Sequence, residues 1–306
     1  TFYKPWRNNA LPPEYSFVQA LYKDNPYTAA SYEKQLMGIR NIVNRSRLMN
    51  GDWEYADQSN AMVTYDALTD IFTNTIVKHG TKYITADIAR MGEDKTIITV
   101  WEDWEVLEIE MYERQNTEQT EMKIRDKASF HKVPYSQIIV DEDGVGGGVV
   151  DHLRGIKGFV ANSSALLTAT QIRMRNRGQI VNEFTPKTNF ANLKAQCAFK
   201  LAEIINDHKI SVRDARYRDN IIEDLSATLQ EKDLDKENKL QLRPKDEVRQ
   251  ELGRSPDIGD TFIMRAWFEL RQESTGFSDE QTAVAFNRQQ QFFSRNENLQ
   301  HLNSAR

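Results

Sequence analysis

The sequence holds a single cysteine, Cys197, among 306 residues. An intramolecular disulfide is therefore excluded, and so is a zinc site built from cysteines. A reducing compartment is the natural expectation for so little cysteine. Long apolar runs are also missing, since no stretch approaches the roughly 18 residues of a membrane span. Positive charge is not in excess: 40 Lys and Arg stand against 45 Asp and Glu, a net charge of −5. That balance excludes a globally basic nucleic-acid binder but leaves room for a local basic groove. No GxxxxGK[ST] phosphate loop occurs anywhere, so ATP hydrolysis is not expected. His79, His131, His152 and His208 show no metal-ligand spacing and read as surface or packing residues. The N-terminus carries no signal-peptide apolar core and opens on Thr1 instead of Met, so a fragment or a processed product is expected.

What is present points to a folded enzyme-sized chain. Hydrophobic residues make up 39% and aromatics 10%, too much for a disordered protein. At roughly 150 residues per domain, the length suits two domains, or one large domain with appendages. Residues 1–79 are punctuated by Pro5, Pro12, Pro13 and Pro26, with a helical pattern over 31–49 and a short helix expected within 61–79. From residue 80 the texture changes. TKYITADIA (81–89), KTIITVWED (95–103) and EVLEIEMYE (105–113) are β-rich runs separated by short turns, which predicts a three-stranded antiparallel meander. A helix is expected over 117–131, with Thr117 as its N-cap. SQIIVDEDGVGGGVVDHLRG (136–155) reads as a buried strand, a glycine-rich turn and a helix. Helices follow at 188–207, 216–230 and 258–272, a strand is expected at 239–243, and 273–306 reads as a loose polar tail. This order is that of an RNase H-like α/β fold, a mixed central sheet with helices on both faces.

Carboxylates recur at the ends of these elements. Asp87 lies near the end of the first strand, Asp141 ends the strand QIIVD, and Asp257 and Asp260 open the last helix. Taken singly, such an Asp serves as a cap or turn residue more often than not. Together, buried carboxylates at one sheet edge repel each other unless cations sit between them. Oxygen-only ligands suit Mg²⁺ or Mn²⁺, and two such ions support phosphodiester hydrolysis. The glycines at 144 and 146–148 fit neither a Walker loop nor GxGxxG. They read as a turn that lets the strand pass close to the following helix. Residues 165–220 carry ten Lys and Arg against five Asp and Glu. Within this segment Arg173, Arg175 and Arg177 alternate, and Lys187 and Lys194 follow, which is a composition for gripping phosphates without reading bases.

Three runs resemble the nuclease motifs of phage large terminases. VDEDGVGGGVVDHL (140–153) is similar to the second motif, VD-x-x-GVG-x-GVVD-x-L. ADIARMGEDKT (86–96) resembles the first, with Asp87 in the metal-binding place. SPDIGDTFIMRAW (255–267) resembles the third, where Asp257 and Asp260 match but Thr261 and Phe262 replace the usual Ala-Leu. NPYTAASYEKQLMGIRNIVNRSRLMNGDWE (25–54) is similar to the connector that follows the terminase ATPase domain. The resemblance implies an RNase H-like nuclease domain at 80–272, a helical connector from a missing ATPase domain at 1–79, and a flexible tail at 273–306. It implies an endonuclease that cuts concatemeric viral DNA during packaging with two Mg²⁺ or Mn²⁺ ions held by Asp87, Asp141 and Asp257, with Asp260 either a further ligand or a helper. Asp143 and Asp151 are expected to be outer or structural. The implied partners are double-stranded DNA, the portal, the small terminase subunit and the ATPase domain, in the cytoplasm of a bacterial host. Two other readings stand beside it: a non-catalytic module that docks DNA or a portal, and another RNase H-like nuclease such as a junction resolvase.

Overall fold

Among the described residues, the short helices α1 (Ala30–Met37) and α2 (Tyr65–Asp70) precede the sheet in this computed structural model. The structure describes residues 6, 9–18, 20–28, 30–37, 45, 48–49, 51, 60–89, 95–113, 116–143, 146–167, 190–232 and 234–275. Helix α2 is capped by Thr64, whose side chain accepts from the Ala67 N–H at 3.2 Å. Its Ala67 and Leu68, with Val63 and Ile71 on either side, belong to the main core.

Strands β1 (Lys82–Asp87), β2 (Lys95–Glu102) and β3 (Glu105–Glu113) form the expected antiparallel meander. All but the end residues of β2 are buried, so this strand has core on both faces, which its Ile, Val, Thr and Trp side chains suit. Asp103 turns the chain from β2 into β3 with φ +53°, a left-handed conformation that Asp adopts more readily than branched residues. The chain leaves the sheet through α3 (Thr117–His131) and returns in β4 (Ile138–Asp141), which pairs in parallel with β1. After α4 (Gly146–His152), strand β5 (Lys157–Phe159) extends the sheet beside β4. Helix α5 (Leu193–Asn206) leads to β6 (Ser211–Val212), which joins the other edge in parallel with β3. The six-stranded order is β5-β4-β1-β2-β3-β6. Helix α6 (Arg218–Thr228), a ribbon of β7 (Glu231–Lys232) and β8 (Gln241–Leu242), α7 (Lys245–Leu252) and α8 (Asp257–Thr275) complete the chain as described.

Helices cover both faces. On one, α3 and α4 bury Ile84, Ala86, Ile98, Val100 and Val140. On the other, α5, α6 and α8 bury Tyr83, Ile97, Trp101 and Ile139. Helix α8 crosses β1 and β2 at close range. Phe262 meets the Trp101 ring edge-on at 4.9 Å between centroids, and the Thr261 hydroxyl lies 2.9 Å from that of Thr99 while donating to the Ile258 carbonyl at 2.8 Å. The Thr261-Phe262 pair that departs from Ala-Leu is therefore a packing solution. Its larger ring fills the space over Trp101, and its hydroxyl is satisfied in the core.

Several expectations shift. The N-cap of α3 is Asn116, not Thr117: its side chain accepts from Gln119 N–H, and Gln119 reciprocates to Asn116 N–H, which is a capping box. Residues 245–252, where no helix was expected, form α7, with Pro244 before it, Val248 and Leu252 buried one turn apart, and Gly253 at φ +67° closing it. The short strands β5, β6 and β7 were not anticipated, because two or three residues carry no periodicity. Beyond Met37, most of the helical pattern at 31–49 lies outside the described residues, as does most of 273–306.

Phe262 is fully buried. Phe262→Ala is expected to cost about 3–5 kcal/mol, the usual range for removing a buried aromatic ring. Urea unfolding of parent and variant at equal m-value measures this.

Candidate active site

The parallel pairing of β1 with β4 sets the site. Ala86 stands opposite Val140, so the next residues, Asp87 and Asp141, end adjacent strands side by side. Local chemistry fixes both ends. Ala89 N–H donates to the Thr96 hydroxyl at 3.2 Å beyond Asp87, and Asp143 N–H donates to Asp141 Oδ1 at 3.1 Å. Asp143 in turn accepts from Ala161 N–H at 3.2 Å and ties the β4 loop to the segment after β5. Helix α4 begins directly over the strand end, where a Cβ at Gly146 would lie 1.7 Å from the Asp141 carbonyl oxygen. Only glycine fits there, and this is the close approach read from the glycine-rich run.

The first turn of α8 brings the other two carboxylates, Asp257 and Asp260. Burial pushes the Asp87 carboxyl well above its ordinary range, and the charges of Asp260, Asp141 and Asp257 push it further, against the pull of Lys245. The other three predicted carboxylates therefore all act on Asp87. Burial also raises Asp141; the Asp143 N–H opposes the rise, while the charges of Asp143 and Asp260 add to it. Asp260 behaves differently. Burial would raise it too, but Lys194 Nζ at 2.6 Å from Oδ1 and Lys245 Nζ at 3.0 Å from Oδ2 outweigh burial and hold its carboxyl below the usual range. Burial draws the Lys245 ammonium down, and Asp260 and Asp87 more than restore it. Asp141, Asp143, Lys194, Arg243, Lys245 and Asp260 line a cleft of about 460 Å³.

Two residues of this region were not singled out in the sequence. Lys245 lay in a charged stretch where no helix was expected. Asp224 sits on α6 among the buried residues Ile221, Leu225 and Thr228 and is itself fully buried. A charged residue in the apolar stripe of a helix was the available signal. Burial lifts the Asp224 carboxyl to about 7 even though Arg254 pulls it down. The basic residues predicted to meet DNA divide. Lys194 is at the cleft, bonded to Asp260, while Arg173, Arg175, Arg177 and Lys187 lie outside the described residues. His131 and His152 pair with Glu108 and Glu121, away from the carboxylate site.

No family model matches the sequence, and none of the curated proteins compared with it matches. Solved structures do. The nuclease domain of the large terminase subunit gp2 of bacterial virus Sf6 superposes with a TM-score of 0.54, at 18% identity, over 67% of this chain and 98% of that one. The chain has the fold of a phage large-terminase nuclease domain. A mutant of that Sf6 domain solved with calcium gives a TM-score of 0.54 at 17% identity. The same mutant with manganese and β-thujaplicinol gives 0.53 at 17% identity, and each covers 67% of this chain and 98% of the Sf6 domain. The central sheet of this terminase-nuclease fold is thus RNase H-like, as expected from the element order.

The donor chemistry fits a hard divalent cation. Asp87 and Asp141 offer adjacent carboxylates crowded enough to resist ionisation, and a cation between them removes that cost. Mg²⁺-type ions need only one or two carboxylates, with water and phosphate oxygens completing the shell. Among the described residues, no three acidic, His or Cys side chains are gathered tightly enough for one ion, and the oxygens of Asp260 are engaged by lysines. The fit is therefore to the Asp87–Asp141 pair.

The raised carboxyls set a pH dependence. A group that binds its proton more tightly when folded stabilises the fold at low pH, and that stability is lost as pH rises through the raised value. Without metal, the site therefore costs stability at neutral pH. Asp141→Asn keeps the shape and removes one charge, so in EDTA at pH 7 it should be more stable than the parent by about 1 kcal/mol, an ordinary size for a favourable substitution. The gap should close toward pH 4. Thermal melts in EDTA across this range check both sign and window.

Proposed function

We propose that this chain is a metal-dependent DNA endonuclease of the large-terminase type, which cuts concatemeric viral DNA during genome packaging. The observation that carries the reading is the parallel β1–β4 register. It puts Asp87 and Asp141 at adjacent strand ends in a fold shared with terminase nuclease domains. A non-catalytic docking module has no use for buried carboxylates that crowd one another.

In this reading Asp87 and Asp141 would hold one Mg²⁺ or Mn²⁺, and a second, which the two-ion resemblance implies, would need Asp257 together with Asp260, whose oxygens its two lysines would have to release. Bound ions of this kind polarise a phosphodiester and lower the pKa of water, which makes it a nucleophile. The chain's own residues prepare the ground. Asp143 holds Asp141 through its backbone N–H and so fixes the direction of one carboxylate oxygen. Lys194 and Lys245 neutralise Asp260 and leave cationic charge at the cleft floor, where an incoming phosphate diester is attracted. Packing of α8 against Trp101 keeps the first turn of that helix at a set height over the strand ends. Arg173, Arg175, Arg177 and Lys187 extend the grip along the DNA backbone. The partners are double-stranded DNA, the portal, the small terminase subunit and an ATPase domain to which residues 1–79 connect, with 273–306 as a tail. The setting is the bacterial cytoplasm at the procapsid. No described helix is long and apolar enough to cross a membrane.

Plasmid DNA incubated with the chain and Mn²⁺ should be cut with little sequence preference, and EDTA should abolish cutting. Asp87→Asn and Asp141→Asn should each reduce cutting to background. Gel analysis reads all three, and cutting undiminished in EDTA would contradict the metal-dependent mechanism.

Charge reversal at Arg173, Arg175 and Arg177 should weaken DNA binding and flatten its salt dependence. Each lost phosphate contact removes about 0.9 from the slope of log affinity against log salt, so the change should approach 2 to 3. Anisotropy titrations at several salt concentrations measure the slope.

A further inference from the structure

The first turn of α8 carries Asp257 and Asp260, yet what holds it is contributed by another helix. Asp224 of α6 is fully buried, and its Oδ2 accepts the backbone N–H groups of both Ile258 and Gly259 at 3.1 Å. These are two of the amides that an α-helix leaves without an intrahelical partner. The other oxygen, Oδ1, accepts from Arg254 Nη1. Arg254 also donates to the Ser255 carbonyl at 3.1 Å and to Glu223 Oε2 at 3.2 Å. The turn leading into α8 is thereby bolted to α6 from both sides. Gly259 completes the fit, since a Cβ there would lie 3.1 Å from the Asp224 Cβ. Asp257 and Asp260 flank the two amides that Asp224 holds. A shift of that carboxylate is passed to them through one turn of rigid helix.

We infer that Asp224, braced by Arg254, is a positioning residue that sets the placement of Asp257 and Asp260 relative to Asp87 and Asp141, and so tunes divalent-cation binding. This rests on the proposed metal-dependent function. A purely structural cap would affect the stability of α8 and nothing else. A positioning residue also changes metal affinity in protein that is still folded, and residues that orient metal ligands typically alter affinity ten- to a hundredfold.

The test is a calorimetric titration of the chain with Mn²⁺ alone, without DNA, at a temperature well below each variant's own melting point in EDTA. Asp224→Ala should weaken Mn²⁺ binding by about ten- to a hundredfold. Asp224→Asn keeps a carbonyl oxygen for the Ile258 and Gly259 amides and should restore most of the loss. Gly259→Ala serves where Asp224→Ala fails to fold. Alanine favours the helix, and its Cβ, 3.1 Å from the Asp224 Cβ, would shift the clamp by a few tenths of an ångström, so Mn²⁺ affinity should fall in protein that is still folded. Phe268→Leu, a core change farther along the same helix, where the ring packs on Tyr83, should lower the melting point and leave Mn²⁺ affinity at the parent value. Parent-like Mn²⁺ affinity in both Asp224→Ala and Gly259→Ala would overturn the inference, and so would a loss that Asp224→Asn fails to restore. A parent chain that binds no Mn²⁺ would instead overturn the metal site itself, and the inference with it.

Discussion

Like charges forced together at one sheet edge are the constraint around which this structure is arranged. Parallel pairing of β1 and β4 leaves no choice about where Asp87 and Asp141 end up, because each is the last residue of a strand whose register is fixed by buried Ile84, Ala86, Ile138 and Val140. A one-residue slip would move every one of those side chains to the opposite face. The hydrophobic core therefore enforces the electrostatic problem at the site, and the core is too large for repulsion between a few carboxylates to undo it.

The surroundings answer that problem unevenly. Asp260 has two ammonium partners and ionises readily, whereas among the described residues Asp87 and Asp141 feel only the weaker pull of Lys245 and resist ionisation. The protein thus balances one carboxylate with its own lysines, and in the proposed function a cation from solution would balance the strand-end pair. Asp224 shows the same economy at one remove. Its charge is matched by Arg254 and its oxygens by helix amides, and it never reaches the cleft lining.

Much of this was legible in the residues. The meander was visible because β-branched residues run unbroken through 96–100, and α3 because its polar and apolar positions and its acidic first turn agree with one another. Asp87, Asp141, Asp257 and Asp260 were visible as carboxylates at element ends, and the structure brings their charges into mutual reach. The lysines were harder. Lys194 looked like one basic residue in a basic segment, and nothing local says that it turns toward Asp260, which is 66 residues away in the chain. Lys245 was hidden because the charged run around it obscured the two apolar positions, Val248 and Leu252, that mark α7. Asp224 was readable in principle, as a charge where the helix wants an apolar residue. Its role depends on Gly259 and Arg254 meeting it in three dimensions, which no spacing encodes.

The central claim is that the adjacent ends of β1 and β4 hold a divalent cation. Anomalous diffraction from crystals of this chain soaked in Mn²⁺ tests it most directly. The account predicts a manganese peak about 2.0–2.3 Å from a carboxylate oxygen of both Asp87 and Asp141, in the range of hard cations bound by oxygen. A difference map with no peak there, or with manganese bound only at surface carboxylates such as Asp66 or Glu118, would contradict it.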